Sequence, residues 1–148
     1  MKKIGKILLV IIILLSFSAC GKTTKISEKE LEKKLFKMNF TTKDVTSEME
    51  DSSIKKVILA TNNKLQVEYY VFKNEDNAKT AYNTNVKNLK LDKDAKLKEN
   101  NKNNYSKCRQ TSKNMYIVIV RTGNTMIYSS SNVNYKSDVN KTMRKLGY

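Results

Sequence analysis

The chain has 148 residues and is strongly basic, with 29 lysines and arginines against 14 acidic residues and a formal charge of +15 at pH 7. A chain of this length forms a single domain around one modest hydrophobic core. It has no histidine, two cysteines and four glycines, which argues against a histidine-dependent catalytic triad, a structural zinc site and a glycine-rich phosphate loop. We therefore expect no cofactor, no metal and no enzymatic activity.

The first residues form a charged segment followed by an apolar one. Three lysines stand within the first six residues, ahead of an apolar run from Ile7 to Phe17. The run is shorter than the roughly 20 apolar residues that a membrane-spanning helix needs, and it has the length and flanks of a signal peptide. Two small residues then precede Cys20.

This segment resembles the signal peptide of bacterial lipoproteins, whose lipobox has an apolar residue, two small residues and then a cysteine. The resemblance implies that residues 1–19 are cleaved off and that Cys20 carries a diacylglyceryl lipid. Phe17 departs from the pattern, which most often has leucine there. An ordinary secretory peptide and an uncleaved membrane anchor are the alternatives. Heavy use of lysine and asparagine suggests a low-GC Gram-positive source, so we expect the protein on the extracytoplasmic face of the cell membrane.

The mature chain would remain strongly basic. Removal of Met1 to Ala19 leaves 26 basic and 14 acidic residues, a formal charge of +12. Such a charge favours an anionic lipid or wall polymer as partner, and a membrane protein is a further possibility. Nucleic acid is not the expected ligand, and genomic bias towards lysine is the alternative explanation of the charge. Residues 20–26 would form the lipidated cysteine and a tether that reaches about 20 Å when extended.

The first half of the domain has well-marked elements. Ser27 and Glu30 form a capping box ahead of a helix that ends near Asn39. Apolar and polar residues then alternate in segments typical of strands, and Asn74 stands where it can cap a second helix. The predicted strands are residues 40–45, 54–60 and 65–72, the last two forming a hairpin.

The second half begins with residues 91–104, which we interpret as a solvated loop because they contain few apolar residues. Strands are predicted at 105–112, 115–121 and 125–130, and a last helix at 135–146 ending at Gly147. Cys108 has no partner for a disulfide once Cys20 is lipidated, and we expect it to be buried in its strand.

These elements predict an α+β fold for residues 27–148. We expect an antiparallel sheet of five or six strands with helices packed mainly on one face, and a ferredoxin-like arrangement is the alternative. Residues 57–67 align with 118–128, sharing Val, Ile, Thr and Asn, which suggests an αβββ-αβββ-α pseudo-repeat.

The predicted strand at 65–72 is apolar on both sides, and this points to a binding face. Tyr70 and Phe72 project opposite to Val67 and Tyr69, and Tyr128 joins them if the hairpins pair symmetrically. We interpret Tyr70, Phe72 and Tyr128 as contact residues of a non-catalytic binding or interaction module.

Two alternative functions stay open. One is a structural or accessory subunit of a membrane complex. The other is a cell-envelope enzyme that uses carboxylates, for which the sequence offers two acidic clusters: Glu48, Glu50 and Asp51, and Asp92 with Asp94.

Overall fold

A computed structural model of the chain describes residues 25–90 and 94–148. The predicted signal peptide, Cys20, most of the tether and Asp92 lie outside these residues. Within the described residues the α-helices are α1 (Glu28–Phe36), α2 (Glu75–Leu89) and α3 (Lys136–Leu146). The strands are β1 (Thr41–Asp44), β2 (Ile54–Thr61), β3 (Leu65–Phe72), β4 (Lys96–Lys102), β5 (Tyr105–Thr111), β6 (Met115–Thr122) and β7 (Thr125–Asn132).

The helices begin where the sequence predicts and α3 also ends there, but α1 ends at Phe36 rather than near Asn39. The Ser27 hydroxyl accepts a hydrogen bond from the Glu30 amide at 3.3 Å, and the Asn74 side chain accepts one from the Asn77 amide at 2.9 Å. Gly147 ends α3 in the left-handed conformation with φ of 100°, a geometry that favours glycine. Within residues 25–90 and 94–148, no helix has the length and apolarity needed to cross a membrane.

The strands form one fully antiparallel sheet in the order β1-β2-β3-β7-β6-β5-β4. The α+β class and the antiparallel sheet are therefore confirmed, but the expected count of five or six strands is wrong because the sheet has seven. The additional strand is β4, which lies in the segment predicted as a loop. Its sequence, KLKENNK, has a single apolar residue, so no alternating pattern marks it. Backbone pairing with β5 over seven residues defines this edge strand instead.

Each face of the sheet carries its own hydrophobic core. On one face, which we call the α1/α3 face, α1 and α3 cover the central strands; the buried side chains include Leu31, Leu35, Ile58, Val67, Tyr69, Val118, Ile127, Val139 and Met143. On the other, the α2 face, one helix packs on the sheet; the buried side chains include Phe72, Ala78, Tyr82, Val86, Cys108, Ile119 and Met126. Two of the three helices thus share a face, but α2 does not join them. Because β3 is apolar on both sides, each side has to be covered.

The pseudo-repeat is not confirmed by this arrangement. Ile58 and Ile119 occupy matching positions of the aligned segments, yet they lie in the cores of opposite faces. The helices preceding the two hairpins also lie on opposite faces. The ferredoxin-like alternative does not fit either, because its β-α-β-β-α-β chain order differs from the order seen here.

Candidate functional site

A groove of about 580 Å³ opens on the α2 face between α2 and strands β2, β3 and β7. We call it the aromatic groove. Its lining consists of Asp51, Ser53, Ile54, Glu68, Tyr70, Phe72, Asn77, Thr80, Ala81, Thr84, Asn85, Met126 and Tyr128. All three contact residues singled out in the sequence therefore meet in one concave surface.

Strand geometry brings these side chains together. Alternate residues of β3 project to one face, so Glu68, Tyr70 and Phe72 lie in a row. In the neighbouring strand β7, Tyr128 stands directly opposite Glu68. The rings of Tyr70 and Phe72 stack with centroids 6.1 Å apart and planes inclined by 20°. Phe72 is only 2% exposed, so it forms the floor of the groove, whereas Tyr70 and Tyr128 are half-buried and remain open to a ligand.

Glu68 is held in place by its neighbours on the same strand. Its Oε1 accepts a hydrogen bond from Gln66 Nε2 at 2.6 Å, and its Oε2 accepts one from the Tyr70 hydroxyl. Burial, followed by the hydrogen bond to Glu68, raises the pKa of Tyr70 above its ordinary value. Burial and the charge of Glu68 likewise raise the pKa of Tyr128. Both phenols therefore stay neutral at physiological pH and present aromatic faces beside a carboxylate.

The charge of the groove differs from that of the protein as a whole. Its lining includes two acids, Asp51 and Glu68, and neither a lysine nor an arginine. A hydrogen bond from Ser53 lowers the pKa of Asp51, which favours its ionised form. Aromatic faces beside carboxylates attract organic cations through charge and through cation–π contact. The groove is therefore suited to a ligand with a positively charged group.

A second concave surface, which the sequence analysis missed, lies on the α1/α3 face between α3 and strands β4 and β5. We call it the basic cleft; its volume is about 640 Å³. The lining comprises Lys96, Lys98, Lys107, Arg109, Thr111, Tyr116, Lys136, Asn140, Arg144 and Tyr148. Six of these side chains are cationic and none is a carboxylate.

Alternation along two paired strands concentrates these charges. Lys98 stands directly opposite Arg109 in the β4–β5 ladder, and like charges in such positions are destabilising. Burial, together with the charge of Arg109, lowers the pKa of Lys107 to about 8. The two-residue spacings of Lys96 with Lys98 and of Lys107 with Arg109 are visible in the sequence. They could not be combined there, because residues 96–102 were predicted as a loop.

Helix α3 completes the opposite wall of the cleft. Lys136 Nζ lies 5.0 Å from the ring centroid of Tyr116, a cation–π contact, and 3.4 Å from the Thr111 hydroxyl oxygen. The Tyr116 hydroxyl donates to Asn140 Oδ1 at 2.9 Å. At one end of the cleft the backbone amide of Ile26 donates to the Tyr148 hydroxyl at 3.5 Å. The start of the described chain thus contacts a residue that lines the cleft.

The remaining sequence candidates are distributed differently. Glu48 forms an ion pair with Lys43 at 2.7 Å, while Glu50 is exposed. Asp51 accepts a hydrogen bond from the Ser53 amide at 2.8 Å at the edge of the aromatic groove. Cys108 is fully buried in β5, as predicted, and burial raises the pKa of its thiol to about 11. In the part of the chain that the structure describes, no three His, Cys, Asp or Glu side chains are grouped so as to hold a metal ion.

Comparison with known proteins identifies a likeness of fold only. No protein-family model and no curated protein matches the chain. Among solved structures, a protein described as a GTP binding regulator from Thermotoga maritima is similar, with a TM-score of 0.51 and 16% sequence identity. The alignment covers 82% of this chain and 88% of that one. At this identity the likeness concerns the arrangement of helices and strands, not the residues of either concave surface.

Proposed function

We propose that the protein is an extracytoplasmic lipoprotein, anchored to the cell membrane through Cys20, that acts as a non-catalytic binding module. The lipobox-like segment supports the anchor, and a two-chain lipid would give stable attachment. The short tether would keep the domain close to the bilayer. The aromatic groove is the ligand site in this proposal.

The ligand we propose is a molecule with an exposed organic ammonium group. The observation that carries this step is the composition of the groove, in which three aromatic rings and two carboxylates meet without a lysine or an arginine. In a chain with 29 basic residues, a concave surface that has carboxylates and no cationic side chain in its lining is suited to attract a cation. Its volume of about 580 Å³ lies in the range of small-molecule sites. The carboxylate of Glu68 keeps unused acceptor positions, because each oxygen accepts one hydrogen bond from its neighbours.

The test compares two ligands of nearly the same shape. Choline carries a quaternary ammonium, whereas 3,3-dimethyl-1-butanol has carbon in place of the nitrogen and no charge. Two-dimensional NMR of a chain starting at Gly21, which retains every described helix and strand, would follow both titrations. We expect choline to shift the signals of residues lining the groove and the neutral alcohol to bind at least about fivefold more weakly, since cation–π contact contributes about 1 kcal/mol or more.

Two results would contradict the proposal that the groove binds a cationic ligand. Equal binding of the alcohol would show that the groove selects for shape and apolar surface rather than charge. Failure of choline and of longer organic amines such as spermidine to shift any groove residue would remove the groove as an ammonium site. Membrane attachment through Cys20 is measured separately, so its outcome does not depend on this titration.

A further inference from the structure

The geometry points to a second binding site: the basic cleft holds the phosphodiester headgroups of anionic phospholipids in the membrane to which the protein is tethered. The inference rests on the proposed lipid anchor but concerns a different face of the domain from the aromatic groove. The charge of the cleft indicates the chemical class of the ligand, a phosphate ester. The position of the tether indicates its source, a lipid rather than a free phosphate.

The charge of the cleft indicates an anionic ligand. Six cationic side chains share one concavity, and no side chain of the lining is a carboxylate. Repulsion between Lys98 and Arg109, and the partial burial of Lys107, oppose this arrangement in the free protein. The negative charge of an anion bound between β5 and α3 would offset the repulsion and the cost of burying the Lys107 charge. Lysines and arginines presented together are the usual ligands of phosphate, the arginines by paired hydrogen bonds and the lysines as point charges.

The path of the chain indicates the source of that anion. Ile26 lies at the end of the tether and is held by two tyrosines: its carbonyl accepts from the Tyr69 hydroxyl at 2.8 Å and its amide donates to the Tyr148 hydroxyl at 3.5 Å. Tyr148 also lines the basic cleft. Residues 21–26 span at most about 20 Å, so lipidated Cys20 would enter the bilayer close to one end of the cleft. Headgroups would then surround the cleft at high local concentration.

This placement also orients the ligand site. The aromatic groove and the basic cleft lie on opposite faces of the sheet. A domain that rests on the membrane through the cleft would turn the groove towards the exterior. The two sites would then act without competing for one surface.

The experiment measures binding of the Gly21 chain to vesicles at physiological salt. One set contains phosphatidylcholine alone, and the other contains equal amounts of phosphatidylcholine and phosphatidylglycerol. The cleft variant carries Lys98→Gln, Lys107→Gln and Arg144→Gln. Its control has the same net charge and carries Lys55→Gln, Lys79→Gln and Lys87→Gln, which are exposed lysines outside the cleft lining.

We expect binding only to the vesicles that contain phosphatidylglycerol. Each neutralised charge next to the surface should weaken it about fivefold, so the cleft variant should lose on the order of 100-fold. The control should lose less than about threefold, since its charges lie beyond the screening length from the bound surface. Thermal unfolding checks that both variants are folded. If the triple variant is not folded, the single Lys98→Gln variant is used instead, and its affinity for the vesicles should fall about fivefold.

Three outcomes would overturn the inference. Equal binding to both vesicle types would exclude anionic headgroups, and an equal loss in the control would assign binding to overall charge. Tighter binding of glycerol 3-phosphate or GTP than of phosphatidylglycerol vesicles would identify the ligand as a free phosphate. None of these results changes choline binding at the groove or the mass of lipidated Cys20, so failure here is separable from failure of the proposed function.

Discussion

The aromatic groove and the basic cleft are built on the same sheet from the same alternation of residues, yet they have opposite charge. The groove has two carboxylates and no cationic side chain, and the cleft has six cationic side chains and no carboxylate side chain. The two faces also differ in the helices that pack on them: one helix packs on the face with the groove, and two pack on the face with the cleft.

The difference bears on the origin of the basic composition. Genomic bias towards lysine adds positive charge wherever a side chain is exposed, and so it would place lysines around both concavities. Lysine is instead absent from the groove lining, and in the cleft like charges face each other at an energetic cost. We take this segregation to indicate selected binding surfaces on both faces.

The largest expected effect concerns the proposed lipid anchor, which would place the basic cleft against the membrane and leave the aromatic groove facing away from it. In the full chain, Cys20→Ala should release nearly all of the protein from membranes, because the proposed site of acylation is removed. Fractionation and the intact mass of the extracted protein measure this. A mass of Cys20 to Tyr148 plus a two-chain lipid is expected for the unchanged chain. Equal membrane retention of both forms would contradict the anchor.

The next prediction separates the floor of the groove from its rim. Phe72→Ala should lower the free energy of unfolding by about 3 to 5 kcal/mol, since a fully buried ring leaves a cavity. Tyr128→Ala should cost about 1 kcal/mol, because its ring is already partly exposed. Urea unfolding measures both. Similar losses would show that Tyr128 is a core residue and not available to a ligand.

A smaller effect tests the charge of the groove. Glu68→Gln keeps an acceptor for the Tyr70 hydroxyl and removes the negative charge, so choline binding should weaken about fivefold with the fold retained. Glu50→Gln makes the same change in net charge at an exposed position outside the groove lining and serves as the control. Equal binding by the two variants would mean that Glu68 does not contribute to the recognition of cations.

The smallest effect lies in the cleft. The pKa of Lys107 is about 8 in the folded protein and ordinary in the unfolded chain, so between these values the unfolded chain binds more protons and stability rises with pH. The other cationic side chains of the cleft are Lys96, Lys98 and Arg109 on the strands and Lys136 and Arg144 on α3. A folded pKa of about 8 corresponds to a gain of about 1.3 kcal/mol from pH 7 to 9. Because Lys107 is partly exposed, solvent screening should reduce the gain relative to Lys107→Met to less than about 1 kcal/mol. If the stability of the unchanged protein and that of Lys107→Met changed equally with pH, Lys107 would have an ordinary pKa in the folded protein.

Sequence patterns identified the elements whose hydrophobic residues alternate, and missed the one that lacks them. The hairpin of β2 and β3, the capping of α1 by Ser27 and the burial of Cys108 were all predicted from local signals. Strand periodicity placed Tyr70 and Phe72 on one side of β3, and Tyr128 lies beside them because β3 pairs with β7. Their contact with a ligand stays a prediction.

The cleft could not be predicted, because it depends on contacts between distant segments. β4 is defined by pairing with β5 rather than by its own composition, and α3 reaches the same place from the end of the chain. The position of α2 on the second face was missed for a similar reason. Its apolar stripe predicts burial, but which face it covers depends on how the chain continues from β3 to β4.

The most direct test of the account places one fluorescent label on each face of the membrane-bound protein. Thr111 lines the cleft and Thr84 lines the groove, and each is replaced in turn by cysteine in the full chain; native Cys108 is buried and poorly reactive. The labelled proteins are extracted with their lipid and reconstituted with phospholipids that carry a quenching group at the headgroup. The account predicts strong quenching at position 111 and little at position 84. Equal quenching at the two positions, or stronger quenching at 84, would contradict it.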